Sequence, residues 1–201
     1  MNIAALILAA GRSTRMGSHK LLEVLGDRAL IRHPVDAALA SNVRQVFVVT
    51  GHNEDTIRAT LSSSDVRFVS NPDFAEGLSS SLKAGVRALP SSIDAAIILL
   101  GDMPLITHDL IDQMIDVFNA SPQALALVPT YQGEWGNPVL IARKLFPEIE
   151  TLSGDAGARK LLQSHHADVI EMPVTSDNVL VDLDTPEALA KARSFVRLGN
   201  V

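Results

Sequence analysis

Gly11, Arg12, Arg15, Gly17 and Lys20 stand close together, directly after the apolar run Ile3–Ala9. A glycine-bearing turn at a strand end exposes backbone N–H groups at Ala10 and Gly11. Guanidinium and ammonium groups beside it neutralise oxyanions, so the stretch has the makings of a polyphosphate cradle. Its spacing is not that of the common phosphate loops. There is no G-x-G-x-x-G, and Lys20 comes three positions after Gly17 and precedes Leu21, which excludes G-x-x-x-x-G-K-[ST]. On charge alone the stretch reads first as a solvated surface loop.

Carboxylates supply the second half of a possible site. Asp102 follows the apolar run 95–100, at the end of a strand where parallel sheets open their ligand crevice. It reads equally as a turn or capping residue. Asp182 and Asp184 lie two apart, a spacing that places both on one side of a strand. Asp184 can also cap a helix opening at Thr185–Pro186. Two carboxylates together with phosphate oxygens and water describe a hard-cation site, for which Mg²⁺ is the natural occupant. The pair His165–His166 is a poor metal site, because adjacent helical residues point about 100° apart and no third ligand is suitably spaced.

The elements that must position these groups alternate in type. Strands are expected at Ile3–Ala9, 46–50, 66–70, 95–100 and 125–129, and helices at 27–40, 54–61, 78–89 and 109–119. After Tyr131 the rhythm changes: a turn at 133–137 leads into 138–141, read as a small antiparallel excursion. Helices then follow at 143–149 and 156–164, strands at 168–172 and 178–182, and a closing helix at 186–196. The alternation predicts an α/β, Rossmann-like three-layer sandwich, a mainly parallel sheet with helices on both faces. No repeat, low-complexity tract or linker divides it, so residues 1–201 read as one domain.

Composition narrows the function. The chain is 47% hydrophobic but only 4% aromatic, which suits a core of Ala, Leu, Ile and Val. A net charge of −6 and a pI near 5.4 argue against nucleic acid as partner. With no cysteine, disulfides and thiolate metal sites are excluded. The apolar opening is too short to span a membrane and lacks a basic leader, so a cytoplasmic protein is expected.

The opening stretch resembles the signature of the nucleotidyltransferases that activate sugars and cofactors: Leu-Ala-Ala/Gly-Gly-x-x-x-Arg-Met-Gly followed by Lys. Within that superfamily the chain is similar to the molybdenum cofactor cytidylyltransferase family. The likeness extends through Asn71–Pro72 with 76–82, through 101–104, 136–139, 154–159 and 182–186, in the family's order. It implies transfer of a nucleotide from a triphosphate to a phosphorylated pterin, with pyrophosphate released and no covalent enzyme intermediate.

By the same resemblance Asp102 leads the metal site and Asp184 completes it, with Asp182 the alternative. Lys20 meets the α-phosphate and Arg15 the leaving phosphates. Leu8, Ala9, Ala10, Gly11 and Arg12 cradle the nucleotide. Asn71, Gly77, Ser79, Ser80 and Ser81 face base and ribose, and Asn137, Gly154, Asp155 and Arg159 face the acceptor. Related guanylyltransferases carry glycine where Ala10 stands, and cytidylyltransferases alanine. A methyl there is worth about 1–3 kcal/mol of discrimination and favours CTP. The segment 133–138 departs from the family, which has basic residues before the glycine and histidine where Asn137 stands, so this segment lacks the family's cation and leaves the acceptor's identity open.

The resemblance further implies molybdopterin as acceptor, and a molybdoenzyme or its chaperone as recipient of the product. The same fold also serves guanylyltransferases and sugar-phosphate nucleotidyltransferases. A non-catalytic nucleotide sensor or cofactor chaperone is the alternative of another class, and Lys20, Arg15 and Asp102 together weigh against it.

Overall fold

The first strand, β1 (Ile3–Ala9), is buried at every position because it feeds two cores. Ile3, Ala5, Ile7 and Ala9 enter one core, while Ala4, Leu6, Leu8 and the following Ala10 enter the other. A strand covered on both faces needs an unbroken apolar run, and this alternation is why the run is continuous. The computed structural model describes residues 1–11, 20–183, 189–190 and 192–193.

In chain order the described elements continue with β2 (Val24–Leu25), β3 (Arg28–Ala29), α1 (Arg32–Ala40), β4 (Gln45–Thr50), α2 (Glu54–Thr60) and β5 (Arg67–Ser70). Then come α3 (Leu78–Ala88), β6 (Ala95–Leu100), α4 (His108–Asn119), β7 (Ala126–Tyr131), β8 (Glu134–Trp135) and β9 (Val139–Ala142). The last are α5 (Phe146–Ile149), α6 (Ala158–Ser164) and β10 (Val169–Pro173). The main sheet runs β10–β7–β9–β6–β1–β4–β5, with β8 attached to β7. Residues from α1, α2 and α4 fill the core on one face, and residues from α3, α5 and α6 fill the other. The α/β three-layer architecture is as the alternation predicts.

Topology decides where a ligand can enter. From β1 the chain crosses to β4 and β5 on one side, then returns to β6 on the other, and all four strands are parallel. The order therefore reverses between β1 and β6. In open α/β sheets a crevice forms beyond the strand ends at such a point. Leu8 of β1 and Leu100 of β6 are register partners, and Gly101 N–H donates to the Leu8 carbonyl at 3.0 Å. The two loops carrying the candidate groups leave the sheet side by side.

Three expectations change. Residues 28–29 are not helical: β2 and β3 form a hairpin around Gly26, whose φ of 69° suits the first position of a tight turn, and α1 starts at Arg32. Leu25 and Leu30 enter a small third core with Leu183 and Leu189. The excursion at 138–141 is a full member of the sheet, since β9 lies between β6 and β7 and is antiparallel to both. The strand expected at 178–182 is instead a 3-10 turn over Asp177–Leu180, where the Ser176 hydroxyl accepts from Asn178 N–H at 3.2 Å. Of the closing helix at 186–196, the described residues Leu189, Ala190, Ala192 and Arg193 are helical, and the rest lies outside the described residues. Among the described residues no helix is long and apolar enough to cross a membrane.

Candidate active site

At the reversal point the Lys20 ammonium donates to Asp102 Oδ2 at 2.7 Å. Lys20 opens a 3-10 turn over Lys20–Leu22, and Asp102 sits in the turn after β6. Gly101 permits the approach. A Cβ there would lie 2.9 Å from Ile31 Cδ1, 3.1 Å from the Leu8 carbonyl and 3.2 Å from Leu21 Cδ2, so a larger residue would crowd the approach of the two turns. The side chain of Lys20 is 6% exposed and that of Asp102 is 21%. A buried ammonium needs such a partner, because desolvation of an isolated charge costs several kcal/mol. The second carboxylate oxygen, Oδ1, is buried and accepts no hydrogen bond from the described protein.

The main chain ties further segments to this point. Leu183 N–H donates to the Asp102 carbonyl at 3.2 Å, and Asn137 N–H donates to the Val179 carbonyl at 2.8 Å. Segment 179–183 thus spans from the end of β8 to the turn holding Asp102. Arg12, Arg15 and Asp184 lie outside the described residues, while Asp182 is described and exposed.

The group expected around base and ribose forms a compact polar knot. Asn71 is 2% exposed, and its amide donates to Ser80 Oγ at 2.9 Å and to Ser81 Oγ at 3.0 Å. Its Oδ1 accepts from Asp73 N–H at 3.1 Å, and Ser80 Oγ donates to the Gly77 carbonyl at 2.8 Å. These side chains hold the 71–77 loop to the start of α3, so they shape the loop.

The acceptor-side segment packs onto that loop. Gly77 has φ +100°, and a Cβ there would lie 2.5 Å from the Gly154 carbonyl carbon and 2.7 Å from Asp155 Oδ1. Ser79 N–H donates to the Gly154 carbonyl at 3.0 Å. Gly77 and Ser79 are therefore joined to Gly154 and Asp155, while Arg159 is exposed on α6. Trp135 is half-buried: its indole N–H donates to Glu171 at 2.7 Å and its ring stacks on His166 at 5.5 Å. His165 meets a different carboxylate, Glu148, at 2.8 Å, and so the two histidines part company.

Sequence reasoning overlooked Gly51, His52 and Phe74, which surround Ala10. His52 N–H donates to the Ala10 carbonyl at 3.3 Å, and a Cβ at Gly51 would lie 2.7 Å from Phe74 Cβ and 2.9 Å from Ala10 Cβ. The available signal was a glycine directly after a buried strand, the same signal that marks Gly101.

Residues 5–169 match the family model described as MobA-like NTP transferase domain. The molybdenum cofactor cytidylyltransferase of Escherichia coli K12 is 27% identical over 193 residues, covering 95% of each chain. The purine catabolism protein PucB of Bacillus subtilis 168 is 30% identical over 198 residues, covering 92% of this chain and 93% of that one. The crystal structure of Rv0371c from Mycobacterium tuberculosis H37Rv superposes with a TM-score of 0.86 at 26% identity, covering 96% of this chain and 98% of that one. Its complex with manganese gives 0.82 at 25%, covering 96% and 99%.

Proposed function

The chain belongs to the MobA-like NTP transferase family and is a nucleotidyltransferase, and from that membership we propose that it transfers CMP from CTP to the phosphate of molybdopterin or a related phosphorylated acceptor, using Mg²⁺ and releasing pyrophosphate. The observation carrying this reading is the Lys20–Asp102 contact at the strand-order reversal, beyond the ends of β1 and β6. We assign the activity to one domain spanning residues 1–201.

The metal assignment has support of its own. Asp102 Oδ1 is buried with no hydrogen-bond partner among the described residues, and a carboxylate oxygen is a hard donor of the kind Mg²⁺ takes. Among the described residues no group of three or more His, Asp or Glu could hold a metal alone. We assign the ion's shell to Asp102, Asp184, phosphate oxygens and water, because Mg²⁺ commonly takes one or two carboxylates together with substrate phosphates. When bound, the ion would polarise the phosphates and neutralise charge on the leaving pyrophosphate.

The chain's own residues align and exclude. In our assignment the Ala10–Gly11 amides and the side chains of Arg12 and Arg15 hold the triphosphate tail. Lys20 lies at the α-phosphate, its ammonium fixed in place by Asp102. An acceptor phosphate oxygen attacks the α-phosphorus in line; the α–β bridging bond breaks and its electron pair leaves with pyrophosphate. The loop shaped by Asn71, Ser80 and Ser81 carries the nucleoside side, with Gly77 and Ser79 next to it. Asn137, Gly154, Asp155 and Arg159 form the acceptor side. Because Gly77 and Ser79 contact Gly154 and Asp155, one rigid unit sets both reactants' positions, and positioning supplies most of the rate in phosphoryl transfer. A molybdoenzyme or its chaperone is the recipient of the product.

Purified protein, Mg²⁺ and molybdopterin with each of the four nucleoside triphosphates test the proposal by pyrophosphate release. CTP should support turnover best. Turnover with GTP alone would transfer the reading to a guanylyltransferase. Nucleotide binding without any release would make the chain a sensor.

A further inference from the structure

Resting on the nucleotidyl-transfer reading above, we infer that Arg193 is a positioning residue, which clamps the turn bearing Lys20 so that its ammonium stays seated on Asp102. Arg193 lies 170 residues from Glu23 in sequence. Its guanidinium nevertheless donates from Nη2 to Glu23 Oε2 at 3.0 Å and from Nε to the Val24 carbonyl at 2.9 Å. Those two acceptors follow directly on the 3-10 turn Lys20–Leu22. Glu23 is fastened to that turn by its own N–H, which donates to the Lys20 carbonyl at 3.1 Å. The Glu23 carbonyl accepts from Leu30 N–H at 2.8 Å, and the Leu21 carbonyl from Ile31 N–H at 3.0 Å. Two successive hydrogen bonds, Arg193 to Glu23 and Glu23 to Lys20, thus join a helical residue far along the chain to the lysine of the candidate site.

The same late part of the chain also reaches Asp102, whose carbonyl accepts from Leu183 N–H at 3.2 Å. Leu183 and Leu189 share a small core with Leu25 and Leu30, against which Val181 and Ala192 pack. Both members of the Lys20–Asp102 pair are therefore tied to it, Asp102 through a backbone bond and Lys20 through Glu23. Charge attraction alone does not explain the arrangement. The Arg193 side chain is 42% exposed and that of Glu23 33%, and such pairs contribute little. What the guanidinium adds is direction. Its planar fork meets a carboxylate and a main-chain carbonyl at once, a geometry that an ammonium does not reproduce. In the transfer reading Lys20 must meet the α-phosphate along a fixed line, and a misplacement of about 1 Å can cost about 10²-fold in rate. Releasing the clamp acts on the chemical step, because the amides assigned to the triphosphate lie on another turn.

The test compares the full wild-type chain with Arg193→Ala, Arg193→Lys, Lys20→Ala and the double variant Lys20→Ala/Arg193→Ala. Circular dichroism checks that each folds. The first readout is the rate at which acetic anhydride acetylates individual lysines, followed by mass spectrometry. Lys20 is buried and hydrogen-bonded, so it should react slowly, whereas Lys144 and Lys160 are exposed and serve as references. Arg193→Ala should raise the Lys20 rate relative to these references by roughly 5-fold, the effect of losing a partly exposed pair together with a backbone hydrogen bond. Arg193→Lys should fall between that variant and wild type. The second readout is pyrophosphate release with CTP, Mg²⁺ and molybdopterin. There Arg193→Ala should lower kcat by roughly 5-fold with the KM for CTP nearly unchanged, and the double variant should turn over no more slowly than Lys20→Ala. A folded Arg193→Ala protein whose Lys20 labels at the wild-type rate, or whose reference lysines speed up as much, would overturn the inference. So would an equal loss of kcat with and without Lys20. A wild type that releases no pyrophosphate refutes the transfer reading, and the labelling then decides the clamp on its own.

Discussion

Lys20 and Asp102, separated by 82 residues in sequence, meet through a 2.7 Å hydrogen bond that leaves the second carboxylate oxygen of Asp102 buried and without a hydrogen-bond partner among the described residues. One oxygen neutralises a buried ammonium, and the other remains to take a cation. The same residue thus holds the fold and the proposed metal.

Substitutions at Asp102 should separate these two tasks. Asp102→Ala removes the Asp102 contact of the buried Lys20 ammonium and should cost about 2 kcal/mol, a fall in Tm of about 4–8 °C for a chain of this size. Asp102→Asn keeps an acceptor for Lys20 and should melt within a few degrees of wild type. Both should lose at least about 10²-fold in turnover, the scale of losing one electrostatic contact to the transition state. Thermal melts and pyrophosphate release on the same preparations check this. An active Asp102→Asn protein would remove Asp102 from the metal site.

Gly11 poses a different question. It is exposed, its φ is not in the left-handed region, and a Cβ there would have no described atom within 4 Å. Neither backbone conformation nor the packing of described residues calls for glycine. Gly11→Ala should therefore fold with an unchanged Tm while weakening triphosphate binding by roughly 10-fold, because the methyl enters the space assigned to the phosphates. Equal triphosphate affinity in the variant would take Gly11 out of the cradle.

Gly77→Ala should do the reverse. The residue sits at φ +100° with the Gly154 carbonyl where its Cβ would stand. Strain of about 1–3 kcal/mol is expected, lowering the Tm, and the KM values for nucleotide and acceptor should rise together because one loop braces both. A rise confined to one substrate would show that the two segments move independently.

Asn71→Ala deletes the donors to Ser80 and Ser81 and the acceptor for Asp73 N–H, in a residue 2% exposed. Loss of about 2–3 kcal/mol in urea unfolding is expected. If unfolding free energy hardly changes, the knot does not organise the loop.

His33 sets an acid-side slope. Burial pushes its imidazole below the ordinary histidine value, and the Arg28 charge adds to this, against a hydrogen bond to the Leu25 carbonyl and the charges of Asp36 and Asp27 that raise it. The folded state then binds fewer protons at His33 than the unfolded state, so this contribution to stability is present above about pH 6.5 and is lost as pH falls toward the folded-state value. Melting temperatures from about pH 7.5 to 5 should decline more steeply for wild type than for His33→Gln. Parallel curves would show that His33 is not responsible.

Much of this protein can be read along the chain because its signals are local. The continuous run Ile3–Ala9, the spacing of Ile111, Met114, Ile115 and Phe118 on α4, and the glycine after β6 report a buried strand, an amphipathic helix and a sharp turn without reference to anything distant. Alternation of such elements is enough for the sandwich. Where a segment's state depends on what it packs against, the local signal misleads. Val179 and Val181 resemble strand residues, yet Val179 is buried against Gly136 in a 3-10 turn, because the chain there must cross the strand ends and has no ladder to join. The segment 138–141 reads as a side excursion, yet β9 fills the place between β6 and β7.

Residue types and order by themselves determined the α/β class, the family signature and the chemical inventory of amides, cations and a strand-end carboxylate. Only the tertiary structure decided which of these meet. It set Lys20 on Asp102, closed Gly77 against Gly154, and turned the Ala10 methyl into the core beside Gly51 and Phe74. The physical reason is that hydrophobic periodicity and turn chemistry act over a few residues. Contacts across 82 positions are fixed by strand order and register, which the chain acquires only when the whole sheet assembles.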